Sequence, residues 1–287
     1  MPRFIFSLLF CFCATTFATA QDDLLNQLDS IKSNGKQVEV AAFKGLQIGN
    51  MQSTKLPAKK ELEILISHRF GDLTKGFDNF FGLDDATTKI GGIYGLTNWL
   101  AIAASRHTNL NKTYELAAKY KLLDQQINGF PFTVVGYHTM DINSGLKKEQ
   151  YPLLKFNNRL AFTSQLLVSR KFTDALSIEG AAIYVHKNLY EKYNERKDLF
   201  VIGMGGRYKL SNRLSMNIDY AARVHPHDKR TFRDPLTLAL DIDTGGHIFQ
   251  LVFSNAQQMN DVEVFSNAAG RWDGGSLYFG FNLYRVF

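Results

Sequence analysis

The sequence predicts an all-β chain rolled into a closed antiparallel transmembrane β-barrel of about 12 strands, and three observations carry that expectation. Nearly everything after Glu61 alternates apolar and polar side chains with a period of two, which is the repeat of a strand and not of a helix. The links between these segments are short and long in turn, so one end of the sheet differs from the other. Beyond the first twenty residues no apolar run is long enough for a helix to cross a bilayer, although 13% of the residues are aromatic.

The chain opens with "MPRFIFSLLFCFCATTFATA": one charge at Arg3, an apolar run from Phe4 to about Phe17, then Ala18-Thr19-Ala20. This is the layout of a secretory signal peptide over 1–20, cleaved after Ala20, and its run is too short and too dotted with Thr and Ser for an anchor. Cys11 and Cys13 each follow a Phe, so a lipoprotein signal is not expected. Both cysteines lie in the leader, which excludes a cysteine nucleophile, a thiolate metal site and an iron–sulfur centre from the mature chain.

Residues 21–60 fall outside the barrel pattern. Leu24, Leu25, Leu28 and Ile31 are spaced as a short amphipathic helix with acidic residues at its start. "QVEVAAFKGLQI" is open to three readings: a thirteenth strand, a segment folded into the lumen, or a periplasmic lead-in. The expectation for 21–60 is a periplasmic or luminal segment, with the barrel over 61–287.

The barrel strands are expected at 61–70, 88–96, 99–107, 113–123, 130–140, 156–171, 175–186, 198–210, 214–224, 236–243, 247–255 and 276–287. In "ELEILISHRF", Leu62, Ile64, Ile66 and His68 share one face while Glu63 and Arg69 share the other. "TYELAAKYKLL" sets Tyr114, Leu116, Tyr120 and Leu122 against Glu115, Lys119 and Lys121. "LSMNIDYAARV" and "LTLALDID" repeat the pattern; a helix would scatter these charges, whereas a strand gathers them on one side. Tight links ("TN", "DQQINGF", "FTDA", "SN", "TGG") alternate with longer polar ones at 71–87, 141–155, 187–197, 225–235 and 256–275. Outer-membrane barrels carry this asymmetry, with short periplasmic turns and longer outward loops, and an even strand number leaves both ends of the barrel on the periplasmic side.

The last strand, "SLYFGFNLYRVF", runs to Phe287 without a polar tail. A closed barrel must pair its last strand with its first, because each unpaired backbone group in hydrocarbon costs several kcal/mol. A terminal aromatic after alternating apolar residues resembles the signal read by the barrel-assembly machinery, with Arg285 where an apolar or aromatic residue is usual.

Several stretches together resemble one family: "ISHRFG" ending at Gly71, "FFGLDDA" (80–86), "YKLL" (120–123), "GGRYKL" (205–210), "DTGGHIFQLVFSNAQ" (243–257) and "FGFNLYRVF" (279–287). The family is a membrane-bound β-barrel domain of Bacteroidetes-type bacteria, catalogued as a domain of unknown function. The resemblance covers about Val38 to Phe287, with the Gly-Gly-His run as its most distinctive part. It implies an outer-membrane barrel and carries no activity, substrate or catalytic residue with it.

By alternation, Glu63, Arg69, Glu115, Lys119, Lys121, Arg159, Glu179, Arg207, Lys209, Asp219, Arg223, Asp241 and Asp243 are expected to line the lumen. Two uses stand open: a polar pore whose charges select solutes, and a salt-bridge network that fills a modest barrel. Trp99, Tyr114, Tyr120, Tyr208, Tyr220, Trp272 and Phe287 fall near strand ends and are expected at the membrane interfaces. The formal net charge is +6, or +5 once Arg3 leaves with the leader. The basic loops "HKNLYEKYNERK" and "HPHDKR" are read as facing outer-membrane lipid and lipopolysaccharide, and no basic cluster interleaves with a stacking platform for nucleic acid.

The remaining chemistry is thin. His225, His227 and Asp228 form a weak His-x-His metal pattern, and a solvated loop is the simpler reading, so no metal or cofactor is expected. His247 follows a Gly-Gly turn and is not read as catalytic. There is no Gly-x-Ser-x-Gly elbow, and the glycines of "IGMGGRYKL" precede no helix that would bind phosphate. The expectation is a non-enzymatic outer-membrane barrel, with a channel for small solutes as its first role. An interaction barrel using its loops or N-terminal segment, and a lipid-modifying enzyme, are the alternatives.

Overall fold

The computed structural model describes residues 38–287 apart from 40, 109, 110, 228 and 229. The expected leader and the helix over 24–31 lie outside the described residues. Within Glu39–Phe287, twelve antiparallel strands close into one barrel. They are β1 (Leu62–Asp72), β2 (Thr87–Gly95), β3 (Leu100–His107), β4 (Thr113–Leu123), β5 (Thr133–Asn143) and β6 (Leu160–Lys171). The second half comprises β7 (Leu176–Lys187), β8 (Asp198–Lys209), β9 (Leu214–Val224), β10 (Leu236–Asp243), β11 (His247–Ser254) and β12 (Tyr278–Val286).

Each strand pairs with its sequence neighbours, and β12 returns to β1, with Glu63 opposite Val286 and Arg69 opposite Gly280. The last residue completes the seam: Leu62 N donates to Phe287 O at 3.2 Å and Phe287 N donates to Leu62 O at 2.8 Å. The wall therefore has no open edge, the condition that a lipid-facing sheet must meet. Alternation sorts the side chains as the pattern requires. In β8, Phe200, Ile202, Met204 and Tyr208 are exposed on the outer face, while Leu199, Val201 and Arg207 are buried inside.

The fifth and sixth strands shift most. β5 runs from Thr133 to Asn143, because Asp141 and Asn143 keep the inward alternation beyond the expected end at 140. β6 starts at Leu160, preceded by a 3-10 turn over Phe156–Arg159 that Asn158 caps by accepting from Lys155 N at 2.8 Å. Arg159 therefore stands at the rim and not within a strand.

The interior is occupied by two insertions from opposite ends. The N-terminal segment enters at the short-turn end, where Glu39 N donates to Gln125 O at 2.9 Å and Glu39 pairs with Lys171 at 3.0 Å. It then makes a tight hairpin inside the wall, with Ile48 N donating to Met51 O and Ser53 N to Leu46 O. Phe43, Leu46, Ile48 and Met51 are buried there. The described residues 41–48 of this stretch lie inside the wall. Bare backbone on β8 makes room: a Cβ on Gly203 would strike the Met51 side chain, and one on Gly205 would strike Ile48 Cδ1.

The second insertion is a correction to the expected outward link over 256–275. Its first limb turns inward and forms the helix α1 (Asp261–Asn267). Val262, Val264 and Phe265 of α1 pack on an apolar wall of Val135, Leu167, Ile183, Val185 and Val201. Burying those side chains against β5–β8 stabilises the inward course, at roughly 1.5–3 kcal/mol for each large side chain.

Candidate functional site: the filled lumen and the loop-end vestibule

The charged residues of the wall mostly bond to the inserted hairpin and not to each other. Glu63 pairs with Lys55 at 2.9 Å. Glu179 accepts from Thr54 N at 2.9 Å, and Asp219 accepts from Asn50 N at 2.9 Å. Arg69 donates to Asn50 Oδ1 at 3.1 Å and to Asn282 Oδ1 at 3.0 Å. Arg207 donates to Ser215 Oγ at 2.9 Å and lies 3.5 Å from Ala42 O. Lys119 reaches Leu46 O at 3.4 Å, and Asp243 pairs with Lys44. Asp241 accepts from Gln250 at 2.6 Å, and Gln250 in turn donates to Ile48 O at 2.8 Å.

Glu115 pairs across the wall with Lys89 at 3.0 Å. Lys121 and Lys209 lie at the short-turn end, half-buried, with Lys121 paired to Asp124 at 2.8 Å. Arg223 pairs with Asp234 of the β9–β10 loop at 3.0 Å. Lys89, Asp141, Gln165, Gln250 and Asn282 are also buried on the inner face. Asp141 lies past the strand end expected at 140, and charge alternation does not pick out the amides Gln165, Gln250 and Asn282. The other half of the interior is the apolar wall against α1, which alternation cannot distinguish from a lipid-facing surface.

The two insertions meet inside the barrel, where Gln52 Nε2 donates to Asp261 Oδ1 at 3.2 Å. Asp261 Oδ2 also takes a bond from Gln165 of β6, and the backbone at Met259 accepts from Lys89 at 3.1 Å. Burial and the nearby Glu115 carboxylate push the Asp261 carboxyl up to about 6.

At the loop end α1 is the floor of a vestibule of about 690 Å³. Asp141 Oδ2 accepts from Asn260 Nδ2 at 2.7 Å at its base. To one side, Lys187 donates to Glu195 at 2.8 Å and to Asn267 at 2.6 Å, while Asn111 bonds Glu263. Burial raises the Glu195 carboxyl, but Lys187 and three hydrogen bonds outweigh it and hold the group below its usual range. Arg159 lies on the rim and donates to Asn143 O at 2.9 Å.

The outer wall carries the aromatics. Trp99, Tyr208 and Phe287 are exposed at the short-turn end, with Arg285 4.7 Å above the Phe287 ring. Tyr114 at the loop end carries Arg106 over its ring at 4.3 Å. Tyr220 donates to Asp234 at 3.0 Å, and Trp272 donates to Leu236 O at 3.1 Å, half-buried in the β11–β12 link. Tyr120 lies within β4. Its ring covers Gly136, and its hydroxyl meets His138 Nε2 at 2.9 Å. His138 Nδ1 is 3.0 Å from Ser164 Oγ across the β5–β6 register, so the wall joins a serine and a histidine that sequence spacing had not. Both sit mid-strand on the outer face, where the pair satisfies two polar groups that would otherwise meet lipid alone. The backbone around Ser164 is engaged in ladders with β5 and β7, so it offers no donors for an oxyanion. Of the loop residues considered for a metal, Asp228 lies outside the described residues, and no group of three or more His, Cys, Asp or Glu gathers among the described ones.

A closed, twelve-stranded antiparallel barrel with apolar side chains exposed on its outer face defines a membrane β-barrel. A model of the "Membrane bound beta barrel domain (DUF5777)" family matches residues 43–287, and the chain belongs to that family. Among solved structures, the fold is similar to the KdgM porin, with a TM-score of 0.50 at 8% identity, covering 78% of this chain and 99% of that one. It also matches an outer-membrane channel of Pseudomonas putida F1 (TM-score 0.44, 12% identity, 81% and 97% covered). Omp33 of Acinetobacter baumannii matches at TM-score 0.44 and 11% identity, with 81% and 100% covered. No curated protein matches the sequence.

Proposed function

We propose that the protein is a non-enzymatic outer-membrane channel of a Bacteroidetes-type cell, held shut at rest by its own hairpin and helix. In this reading the leader exports the chain, the assembly machinery reads its terminal strand, and the long loops face lipopolysaccharide. One observation carries the proposal: a polar vestibule open at the loop end stops on a floor formed by inserted segments of chain and not by the wall. A barrel that served only as an anchor would need no such cavity above a removable floor. Small solutes pass when the floor yields, along the face where Lys89, Glu115 and Lys119 replace the apolar wall.

Planar-bilayer recording tests this. The refolded wild-type chain is expected to stay closed for most of the record, and a Gln52→Ala/Asp261→Ala variant to show frequent conductance steps. Silence from both proteins at every voltage would sink the channel reading.

A second reading, an interaction barrel, is favoured by Leu153 and Tyr193, 90% and 83% exposed on the long loops. Unchanged partners in a pull-down after deletion of 188–197 would count against it.

A further inference from the structure

From the vestibule we infer a binding site for a short saccharide without negative charge, meaning a neutral or amino sugar of a few rings. This rests on the channel reading for its biological sense and deepens it by naming the solute class.

The base of the cavity is short of hydrogen-bond donors. Asp141 and Asn260 are 3% and 1% exposed, and both line the cavity. They bond each other through Asp141 Oδ2 and Asn260 Nδ2, while Asp141 Oδ1 and Asn260 Oδ1 have no partner among the described residues. An unmatched buried acceptor forfeits the free energy of the bonds it made to water. A solute that brings hydroxyl or ammonium donors to these two oxygens would recover that free energy, whereas a carboxylate would add a third acceptor.

The charge of the lining points the same way. Asp141, Glu191, Glu195 and Glu263 line the cavity against Arg159 and Lys187, and Lys187 is already matched by Glu195, so carboxyl groups outnumber cations there. An anion would find few cations left to pair with in a partly desolvated space. Above the base, the Asn143 and Asn158 amide nitrogens stand in the lining as donors that a sugar hydroxyl oxygen can accept from, while the amides of Asn111 and Asn267 are taken up by Glu263, Glu195 and Lys187. Tyr151 and Tyr190 on the rim are exposed and supply flat apolar faces for the C–H side of a sugar ring. The 690 Å³ lies within the ~300–1,000 Å³ of ordinary small-molecule sites.

Isothermal titration of the full refolded chain would use maltotriose, a glucosamine trimer and trigalacturonate as probes. The first two are expected to bind, and trigalacturonate at least tenfold more weakly than either. Asn260→Ala and Asp141→Asn should each weaken maltotriose roughly tenfold, and Tyr190→Ala, an exposed change that leaves the barrel intact, severalfold. Heat-modifiability on gels establishes that each variant is folded. No heat from either non-anionic probe, equal or tighter binding of trigalacturonate, or unaltered affinity in Tyr190→Ala together with folded Asn260→Ala would each overturn the site. Binding by a barrel that never conducts would overturn the channel reading alone, and conduction without binding would overturn the site alone.

Discussion

Gln52 and Asp261, 209 residues apart, share a hydrogen bond of 3.2 Å at the middle of the barrel. It joins the hairpin that enters from one end to the helix that enters from the other. A bond to a charged acceptor contributes about 1.5–3 kcal/mol, which is a tenfold or larger change in an equilibrium. Gln52→Ala is therefore expected to raise the open fraction in bilayers roughly tenfold. A double-mutant cycle with Asp261→Ala should show coupling, and purely additive effects would place the gate elsewhere.

The same contact sets a pH dependence. With the helix seated, burial and the Glu115 carboxylate hold the Asp261 carboxyl protonated up to about pH 6. Released to water, its value falls to about 3.9. Seating therefore takes up a proton, is firmest below the lower value, and weakens as the pH rises through the upper one. Conductance should grow from about pH 4 to about pH 7, and Asp261→Asn should flatten that rise. A rise of the opposite sign would contradict the mechanism.

Lys187 and Glu195 form a nearly buried pair on the flank of the vestibule, with side chains 7% and 12% exposed. Glu195→Gln leaves the ammonium without its counter-ion, a loss of roughly 3 kcal/mol for the loop. Its Glu195 carboxyl lies below the usual range, so the contribution is complete above that range and disappears as the pH falls through the depressed value. Limited proteolysis should cut 188–197 faster in Glu195→Gln at neutral pH, and faster in the wild type only in acid.

Ile202 projects from β8 at mid-strand, 63% exposed. Such exposure suits lipid and not water. Ile202→Arg should destabilise folding into liposomes by ~2–4 kcal/mol, read from denaturant titration. An unchanged midpoint would argue that this face does not meet hydrocarbon.

Much of the wall was legible because its constraint is local: alternation places Glu63, Arg69, Lys119 and Asp219 on one face without reference to distant partners. Even the order of short and long links survives in the fold. The filling was not legible, since it depends on what the enclosed face touches. Val135, Leu167 and Ile183 alternate with apolar neighbours, so nothing in β5–β7 distinguishes an inner wall that will receive α1 from one that faces lipid. The 256–275 link looks polar on average, yet Val262, Val264 and Phe265 are enough to turn it inward. Ser164 and His138 became neighbours only through strand register. The vestibule rests on the same kind of information, because Asp141 and Asn260 come from a strand end and a long link.

The hairpin both enters and leaves at one mouth of the barrel: Glu39 lies by Gln125, and Lys60 N bonds Gly95 O. α1 likewise hangs from two limbs at the opposite mouth. Neither piece threads through the sheet, so every rung of the ladder is made by the strands themselves. The wall's ladder of backbone bonds is thus complete without the two segments that fill it.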